Sequence, residues 1–309
     1  MARLRCAVIG VGYLGRFHAQ KYAMLDDCEL VAVVDTRPEQ AQALAQSLNC
    51  QALTDYRDLI GRVDVVSVVV PTQGHHEVCA ALLRAGIHVL VEKPITTTLA
   101  QADELIALAR QAGVLLAVGH LERFNPAVQA LLPHLQAPRF IESVRLAPYK
   151  PRATDVSVLL DLMIHDVDLI LTLAGSEPVQ VDASGARVLT QDIDIANARI
   201  RFANGCVANI TASRVSAKSE RKMRVFQSQA CFSLDLGQRT LTRYTSAEGP
   251  EPGIQSTPQQ FGEADALLAE ITDFVQCVRS GRTPKVPGEA GRHALEVVQR
   301  IAQATELIS

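Results

Sequence analysis

Residues 5–15 read Arg-Cys-Ala-Val-Ile-Gly-Val-Gly-Tyr-Leu-Gly, and this stretch decides the fold of the N-terminal part of the chain. Its apolar half is typical of a buried strand, and Gly10, Gly12 and Gly15 follow in G-x-G-x-x-G spacing where a helical pattern begins. Glycines in this context allow a tight turn in which backbone amides at a helix N-terminus approach a pyrophosphate. Asp35 ends the next apolar run, 20 residues after Gly15, where a carboxylate can accept hydrogen bonds from a ribose diol. The stretch therefore predicts a dinucleotide site.

The cofactor expected at this site is NAD. Asp35 would meet the 2′-phosphate of NADP with a like charge, although Arg37 lies close enough in the sequence to leave NADP use open. Residues 71–75 after the third predicted strand and 92–94 after the fourth belong to the same rim of the sheet. The predicted cofactor-binding residues are Gly10, Gly12, Tyr13, Leu14, Gly15, Asp35, Thr36, Arg37, Pro71, Thr72, His75, Glu92 and Lys93.

The hydrophobic pattern changes character along the chain. Short runs rich in Val, Ile and Leu alternate with stretches of helical period as far as about residue 120, which is typical of βαβ units. After Pro126 the strands alternate in polarity, and this indicates an antiparallel sheet. We predict an α/β fold, in which a Rossmann doubly wound parallel sheet is followed by an α+β domain with a mostly antiparallel open sheet.

The predicted domains are an NAD-binding Rossmann domain of residues 1–122 and a substrate-binding and oligomerisation domain of residues 123–309. The C-terminal helices are free to pack back on the first domain. A helix is predicted from about Val156 to Leu173. The segment Ser246–Gln260, rich in Pro, Gly, Ser and Gln, is predicted to be a surface loop. Because one face of an antiparallel sheet needs cover, we expect a homodimer or homotetramer.

The composition argues against several classes of function. The chain has 309 residues, of which 48% are hydrophobic, and a formal net charge of -3 without a basic stripe, so nucleic acid is not an expected partner. Seven cysteines without a C-x-x-C pair argue against a zinc site or a disulfide framework and favour reduced thiols in the cytoplasm. The longest apolar runs fall far short of the roughly 18 residues that span a bilayer. We expect neither membrane insertion nor a metal.

Lys93 follows the fourth predicted strand, at the edge of a doubly wound sheet where ligands bind. A lysine there can polarise a substrate hydroxyl and hold a neighbouring acid-base group at a useful pKa. An exposed lysine before Pro94, which begins a loop, fits the residues equally well.

Asp161 and His165 lie four residues apart, on one face of the predicted helix. Oxidation of a secondary alcohol needs a group that removes the hydroxyl proton as hydride leaves, and histidine has the appropriate pKa. A buried pair that satisfies its own hydrogen bonds is an alternative. A metal site formed by residues 165–168 is disfavoured, because helical geometry turns Asp166 away from His165.

Together, the glycine motif, Glu92-Lys93-Pro94 and the Asp161-x-x-x-His165 pair resemble the glucose-fructose oxidoreductase, inositol dehydrogenase and rhizopine catabolism (Gfo/Idh/MocA) family. The resemblance spans essentially the whole chain. It implies that Lys93, Asp161 and His165 are the catalytic residues, with the acid-base role on His165. The chain departs from the commoner pattern in having Leu162-Met163-Ile164 where many members carry small residues before the histidine.

Within the family, residues 119–127, 158–166 and 195–199 resemble those members that oxidise the 3-hydroxyl of UDP-N-acetylglucosamine with NAD. The resemblance implies a nucleotide-sugar substrate and an aminotransferase that uses the 3-keto product for lipid A precursors. Basic side chains are candidates for binding the diphosphate. The predicted substrate-binding residues are Lys93, Arg123, Asn125, Arg152, Asp161, His165 and Arg214, with Lys218 as a further candidate cation.

Two other functions stay open on the sequence alone. The same reaction on a free sugar, an inositol or a related polyol would not require phosphate-binding arginines. A cofactor-binding regulator without turnover has no need of the Lys93, Asp161 and His165 group, so the presence of these three residues argues against it.

Overall fold

The computed structural model describes residues 2–149, 157–247 and 253–307. It divides into two compact units. The first unit consists of Met1–Leu121 and Asp265–Arg292, and the second consists of Glu122–Ala264 and His293–Ser309. Arg152, one of the predicted substrate-binding residues, lies outside the described residues.

The first unit is built on a parallel sheet of six strands in the order β3-β2-β1-β4-β5-β6. This is the strand order of the Rossmann fold, so the predicted doubly wound sheet is confirmed. Its elements are β1 Leu4–Ile9, α1 Gly15–Met24, β2 Cys28–Val34, α2 Pro38–Leu48, β3 Gln51–Leu53, β4 Val65–Val68, α3 Thr72–Arg84, β5 His88–Glu92, α4 Leu99–Ala112 and β6 Leu116–Gly119.

A helix from the C-terminal part of the chain completes the first unit. This helix, α7 (Ala266–Ser280), begins at Asp265, whose carboxylate accepts a hydrogen bond from the amide of Leu268 and so caps the helix. Ile271 and Phe274 are fully buried and belong to the same apolar core as the central strands of the sheet. The core of the first unit therefore draws on residues far apart in the sequence.

The second unit contains a nine-stranded sheet in the order β14-β13-β12-β11-β7-β10-β9-β8-β15. Its neighbours are antiparallel except for the β7–β10 and β8–β15 pairs, so the prediction of a mostly antiparallel sheet is confirmed. The strands are β7 Phe140–Leu146, β8 Pro178–Ala186, β9 Ile195–Phe202, β10 Val207–Ser213, β11 Glu220–Gln227, β12 Ala230–Asp235, β13 Thr240–Ser246, β14 Ile254–Gln260 and β15 Thr305–Leu307.

Helices of the second unit are α5 Pro126–Leu131, α6 Ile164–Ala174 and the C-terminal part of α8 Gly288–Ala304. The alternation along β9 places Ala196, Ala198 and Ile200 in one apolar core with α6. Every residue of α6 from Asp166 to Leu171 is buried, so this helix is an interior element of its unit.

The prediction of a loop over Ser246–Gln260 is wrong for its second half. Residues 254–260 form β14, which pairs along its whole length with β13, from Ile254 opposite Ser246 to Gln260 opposite Thr240. All seven residues of β14 are exposed, because it is an edge strand with no covered face. A strand that buries neither face lacks the alternation by which strands are recognised, and Pro258 is tolerated at an edge.

Candidate active site

The turn between β1 and α1 is shaped by glycine. Gly10 adopts a φ of +84°, and a Cβ atom there would lie 2.6 Å from the carbonyl oxygen of Val69. At Gly15 a Cβ atom would lie 1.8 Å from the carbonyl oxygen of Gly10, so the turn itself excludes a side chain. Gly12 differs, because a Cβ atom there would have no neighbour within 4 Å. This open space above the turn is the place where a ligand can approach the backbone.

A cavity of about 620 Å³ opens beside this turn in the first unit. Six of the predicted cofactor-binding residues line it, and sequence reasoning missed Thr54, Tyr56 and Glu77, which line it as well. Tyr56 donates a hydrogen bond to Glu77, at 3.2 Å between Oη and Oε1. The six predicted residues that the structure brings together are Gly10, Gly12, Asp35, Thr36, Arg37 and Pro71.

Asp35 is buried in the wall of the cavity and accepts hydrogen bonds from the backbone of two loops. Its Oδ2 accepts a hydrogen bond from the amide of Val11 at 3.0 Å, and its Oδ1 accepts one from the amide of Arg37 at 3.0 Å. The guanidinium Nε of Arg37 lies 3.3 Å from the same Oδ1. The carboxylate thus joins the glycine turn to the end of β2 and places a negative charge in the cavity wall.

These residues fit a dinucleotide. The glycine turn leaves room for a pyrophosphate at the start of α1, which has no acidic residue in its first turn, and Asp35 supplies acceptors for ribose hydroxyls. The guanidinium of Arg37 donates a hydrogen bond to Asp35. It is therefore less able to bind the 2′-phosphate of NADP than an arginine without this contact would be.

The remaining predicted cofactor residues belong to the first unit but are not among those that line the cavity. Tyr13 and Leu14 are exposed in the glycine turn, and Thr72 begins α3. His75 is buried, with Nδ1 2.9 Å from the carbonyl oxygen of Pro94 and Nε2 2.9 Å from that of Val70. Burial lowers the pKa of this imidazole.

Lys93 directly follows β5, and the carboxylate of Glu92 lies beside its backbone. Glu92 Oε2 accepts a hydrogen bond from the amide of Lys93 at 3.2 Å, and Glu92 Oε1 lies 3.1 Å from Nε2 of His18. Burial alone would raise the pKa of Glu92, but the hydrogen bond from His18 and the charges of His18 and Lys93 bring it below its ordinary value. Sequence reasoning missed His18, although it lies one turn after the glycine motif.

Asp161 and His165 lie at the start of the long interior helix of the second unit. Asp161 is part of a π-helical turn, Leu159–Met163, that leads into α6, and His165 is the second residue of α6. The helix predicted from about Val156 to Leu173 is present from Val158, although hydrogen bonds join residues five apart over Leu159–Met163, and Val156 lies outside the described residues. His165 is the only residue from Met163 to Leu171 that is not buried, and Asp161 is also half-buried. Polar groups that are accessible on an otherwise interior helix favour a functional role over a buried pair.

A buried ion network holds the neighbours of His165. Arg145 on β7 contacts Asp166, at 2.7 Å between Nε and Oδ2, and Glu122, at 3.0 Å between Nη2 and Oε1. Burial alone would lower the pKa of Arg145, but Asp166 and Glu122 outweigh it and raise that pKa. Arg123 makes two hydrogen bonds to Asp168, at 2.7 and 2.6 Å. Both aspartates are thus engaged by arginines, and no group of three metal-ligating side chains occurs among residues 2–149, 157–247 and 253–307.

The other predicted substrate-binding residues have structural partners. Asn125 is buried and caps α5, since its Oδ1 accepts a hydrogen bond from the amide of Ala127 and its Nδ2 donates to the carbonyl of Leu236. Arg214 is buried, with Nε 3.9 Å from Oδ1 of Asp194. The backbone of Lys218 closes a small turn with the hydroxyl of Ser216.

A Rossmann sheet with a glycine turn, an acidic residue in the cavity wall and a lysine at the carboxyl edge of the sheet defines a dinucleotide-dependent oxidoreductase. Two family descriptions match the chain: "Oxidoreductase family, NAD-binding Rossmann fold" over residues 4–120 and "GFO/IDH/MocA C-terminal domain" over residues 141–233. The chain belongs to the Gfo/Idh/MocA oxidoreductase family, and the predicted family, enzyme class and cofactor are confirmed.

Relatives of known activity match over almost their whole length. The chain is 42% identical to UDP-N-acetylglucosamine 3-dehydrogenase of Acidithiobacillus ferrooxidans, over 99% of this chain and 98% of that protein. A solved structure of that enzyme matches with a TM-score of 0.95 at 41% identity, covering 99% of this chain and 98% of the other. Myo-inositol 2-dehydrogenase of Thermotoga maritima is 29% identical, over 94% and 93% of the two chains.

No helix formed by the described residues is long and apolar enough to cross a membrane.

Proposed function

We propose that the protein oxidises the 3-hydroxyl of UDP-N-acetylglucosamine to the 3-keto sugar with NAD as the hydride acceptor. The observation that carries this proposal is the 42% identity, over nearly the full length of both chains, to an enzyme with that name. An inositol dehydrogenase is the second candidate, supported by the 29% identity to the enzyme of Thermotoga maritima.

The cavity residues would hold the cofactor. Gly10, Gly12 and the first turn of α1 would receive the pyrophosphate, and Asp35 would accept hydrogen bonds from the ribose. When bound, NAD supplies a nicotinamide ring that accepts a hydride. Side chains of the protein would bind the substrate and transfer its proton.

We propose that His165 accepts the proton of the substrate hydroxyl. Imidazole is the side chain whose ordinary pKa lies closest to neutral pH, and His165 is half-buried whereas Asp166 to Leu171 of α6 are all buried. Lys93 would donate a hydrogen bond to the substrate and stabilise negative charge that develops there in the reaction. Asp161 would orient the imidazole or accept a hydrogen bond from the sugar. The binding of the diphosphate by Arg152, Arg214 and Lys218, and of other polar groups of the substrate by Arg123 and Asn125, stays a prediction.

We place the reaction before a transamination. A 3-keto sugar is the chemical precursor of a 3-amino sugar, so an aminotransferase that supplies lipid A precursors would consume the product. This proposal follows from the resemblance of residues 119–127, 158–166 and 195–199 to the enzymes with this role.

A direct assay tests the proposed function. The protein is incubated with UDP-N-acetylglucosamine and NAD, NADH is followed by absorbance, and the product is identified by mass spectrometry as lighter by a hydride and a proton. Myo-inositol and free N-acetylglucosamine serve as competing substrates. Turnover of myo-inositol without turnover of the nucleotide-sugar would replace the first candidate by the second.

Substitutions test the assigned residues. Lys93→Ala and His165→Ala should each lower kcat by about 10²–10⁴-fold while the affinity for NAD changes little, because general acid-base and electrostatic groups act on the transition state. Lys21→Ala removes a lysine that pairs with Asp265 away from the cavity, and it should leave kcat unchanged. Full activity of either site variant would remove that residue from the reaction.

A further inference from the structure

Two successive contacts, both through the carboxylate of Glu92, link α1 to the backbone of Lys93. His18 is fully buried on α1, with Nε2 3.1 Å from Oε1 of Glu92. The second oxygen of Glu92, Oε2, accepts the amide proton of Lys93 at 3.2 Å. One carboxylate therefore joins a helix side chain to the residue that follows β5.

The carboxylate has little freedom to lie anywhere else. Strand β6 passes against it, and a Cβ atom at Gly119 would come within 2.7 Å of Glu92 Oε1. Only a residue without a side chain allows the backbone of β6 to approach this closely. The carboxylate of Glu92 is thus confined between α1 and β6.

The tautomer of His18 follows from its surroundings. Nδ1 of His18 is buried and has no hydrogen-bond partner among the described residues. A proton on Nδ1 would leave a buried donor unsatisfied, whereas a proton on Nε2 is donated to the carboxylate. A proton on Nε2 therefore satisfies the contact with Glu92 at the lowest cost.

We propose that His18 is a positioning residue for Lys93 and acts through Glu92. By fixing the carboxylate that binds the Lys93 amide, His18 holds the backbone from which the lysine side chain extends. A displacement of about 1 Å at a catalytic group can lower a rate by about 100-fold. The inference rests on the proposed role of Lys93 in the reaction.

A purely structural role for His18 makes a different prediction. If His18 only satisfied a buried charge, its loss would lower stability and leave kcat of the folded protein unchanged. Tyr22 provides a matched control, because it lies one turn further along α1, is fully buried, and shares a hydrogen bond of 3.1 Å with Ser67. Tyr22→Phe removes a buried hydrogen bond from the same helix without touching Glu92.

Three single variants test the proposal. His18→Leu should lower kcat by about 10- to 100-fold, with a KM for NAD within about threefold of the original. His18→Gln should recover most of kcat, since its amide nitrogen can reach the place of Nε2 and donate to Glu92. Tyr22→Phe should lower Tm and leave kcat unchanged. Equal kcat values for His18→Leu and the unmodified protein would overturn the proposal.

A double variant tests whether the effect passes through Lys93. In a Lys93→Ala background, His18→Leu should cause no further loss of kcat, because the group that it positions is gone. A further loss of about tenfold, as large as in the original background, would show that His18 acts by another route and would overturn the proposal.

Hydrogen exchange separates this inference from the proposed function. Exchange of the Lys93 amide, measured without substrate, should accelerate at least about tenfold in His18→Leu and stay unchanged in Tyr22→Phe. If no substrate turns over but exchange responds in this way, the proposed function fails and the positioning contact stands. If the nucleotide-sugar turns over but neither exchange nor kcat responds to His18→Leu, the positioning role is refuted alone.

Discussion

A single carboxylate organises the loop between β8 and β9. Asp194 is fully buried, and its Oδ2 accepts hydrogen bonds from the amides of Val188, Leu189 and Thr190 at 2.8, 2.6 and 2.8 Å. Burial alone would raise its pKa, but the three amides and the hydroxyl of Thr190 lower it to about 2. Since only the ionised form accepts all of these bonds, the loop depends on the charge of Asp194.

Asp194 should therefore make stability depend on pH in the acid range. Its folded-state pKa lies below its unfolded value, so its contribution is present above about pH 4 and is lost as the pH falls towards about 2. Asp194→Asn should lower the free energy of unfolding by about 2 kcal/mol near neutral pH and by less in acid. Urea unfolding at several pH values measures this difference. Asp192→Asn, from the same loop, is the control and should cost under about 0.5 kcal/mol; a pH-independent deficit for Asp194→Asn would contradict the argument.

Elements of secondary structure were predictable where burial imposes a period. The strands of the Rossmann sheet appear in the sequence as continuous apolar runs because helices cover both faces. The same reasoning fails for β14, whose seven exposed residues carry no period. It also fails for the π-helical turn at Leu159–Met163, because its residues, apolar except for Asp161, do not distinguish a π-helix from an α-helix. Long-range partners leave no local trace: His18 and Glu92 are 74 positions apart, and Arg145 and Asp166 are 21 apart.

The attachment of α6 to β7 depends on Arg145. This arginine is buried between Asp166 and Glu122, so removing its charge leaves two carboxylates in a poorly solvated place. Arg145→Met should lower the free energy of unfolding by about 3–5 kcal/mol in urea titrations, although methionine keeps much of the side-chain volume. Arg224→Ala, which removes the half-exposed pair with Glu142, should cost under about 1 kcal/mol. Similar costs for both variants would mean that Arg145 does not anchor the helix.

On the scale of the whole molecule, the dinucleotide half of the candidate site could be predicted well. Gly10, Gly12 and Asp35 line one cavity because turn sterics and strand order fix their places locally. The surroundings of Lys93 could not be predicted, since they depend on packing among α1, β5 and β6. A division of the sequence into two consecutive domains also misses part of the first unit. Asp265–Arg292 belongs to that unit, although more than a hundred residues separate it from Leu121.

This arrangement predicts that the Rossmann part of the chain is not self-sufficient. Residues 1–122 alone lack α7, whose Ile271, Phe274 and Val275 are each at most 2% exposed and would each contribute about 1.5–3 kcal/mol by burial. That loss is comparable to the roughly 5–15 kcal/mol that stabilises a typical domain. Residues 1–122 should therefore unfold at low urea and bind NAD poorly, whereas the same residues joined to 263–292 by a glycine-serine linker should fold and bind it.

Unfolding curves and NAD titrations of the two fragments measure this difference. Phe274→Ala in the joined fragment is the control for the packing of α7, and it should lower the free energy of unfolding by about 3–5 kcal/mol. If residues 1–122 alone bound NAD with the Kd of the full chain, α7 would be dispensable for the cofactor site. The packing of β1 to β6 with α1 to α4 would then be sufficient to stabilise the sheet without α7.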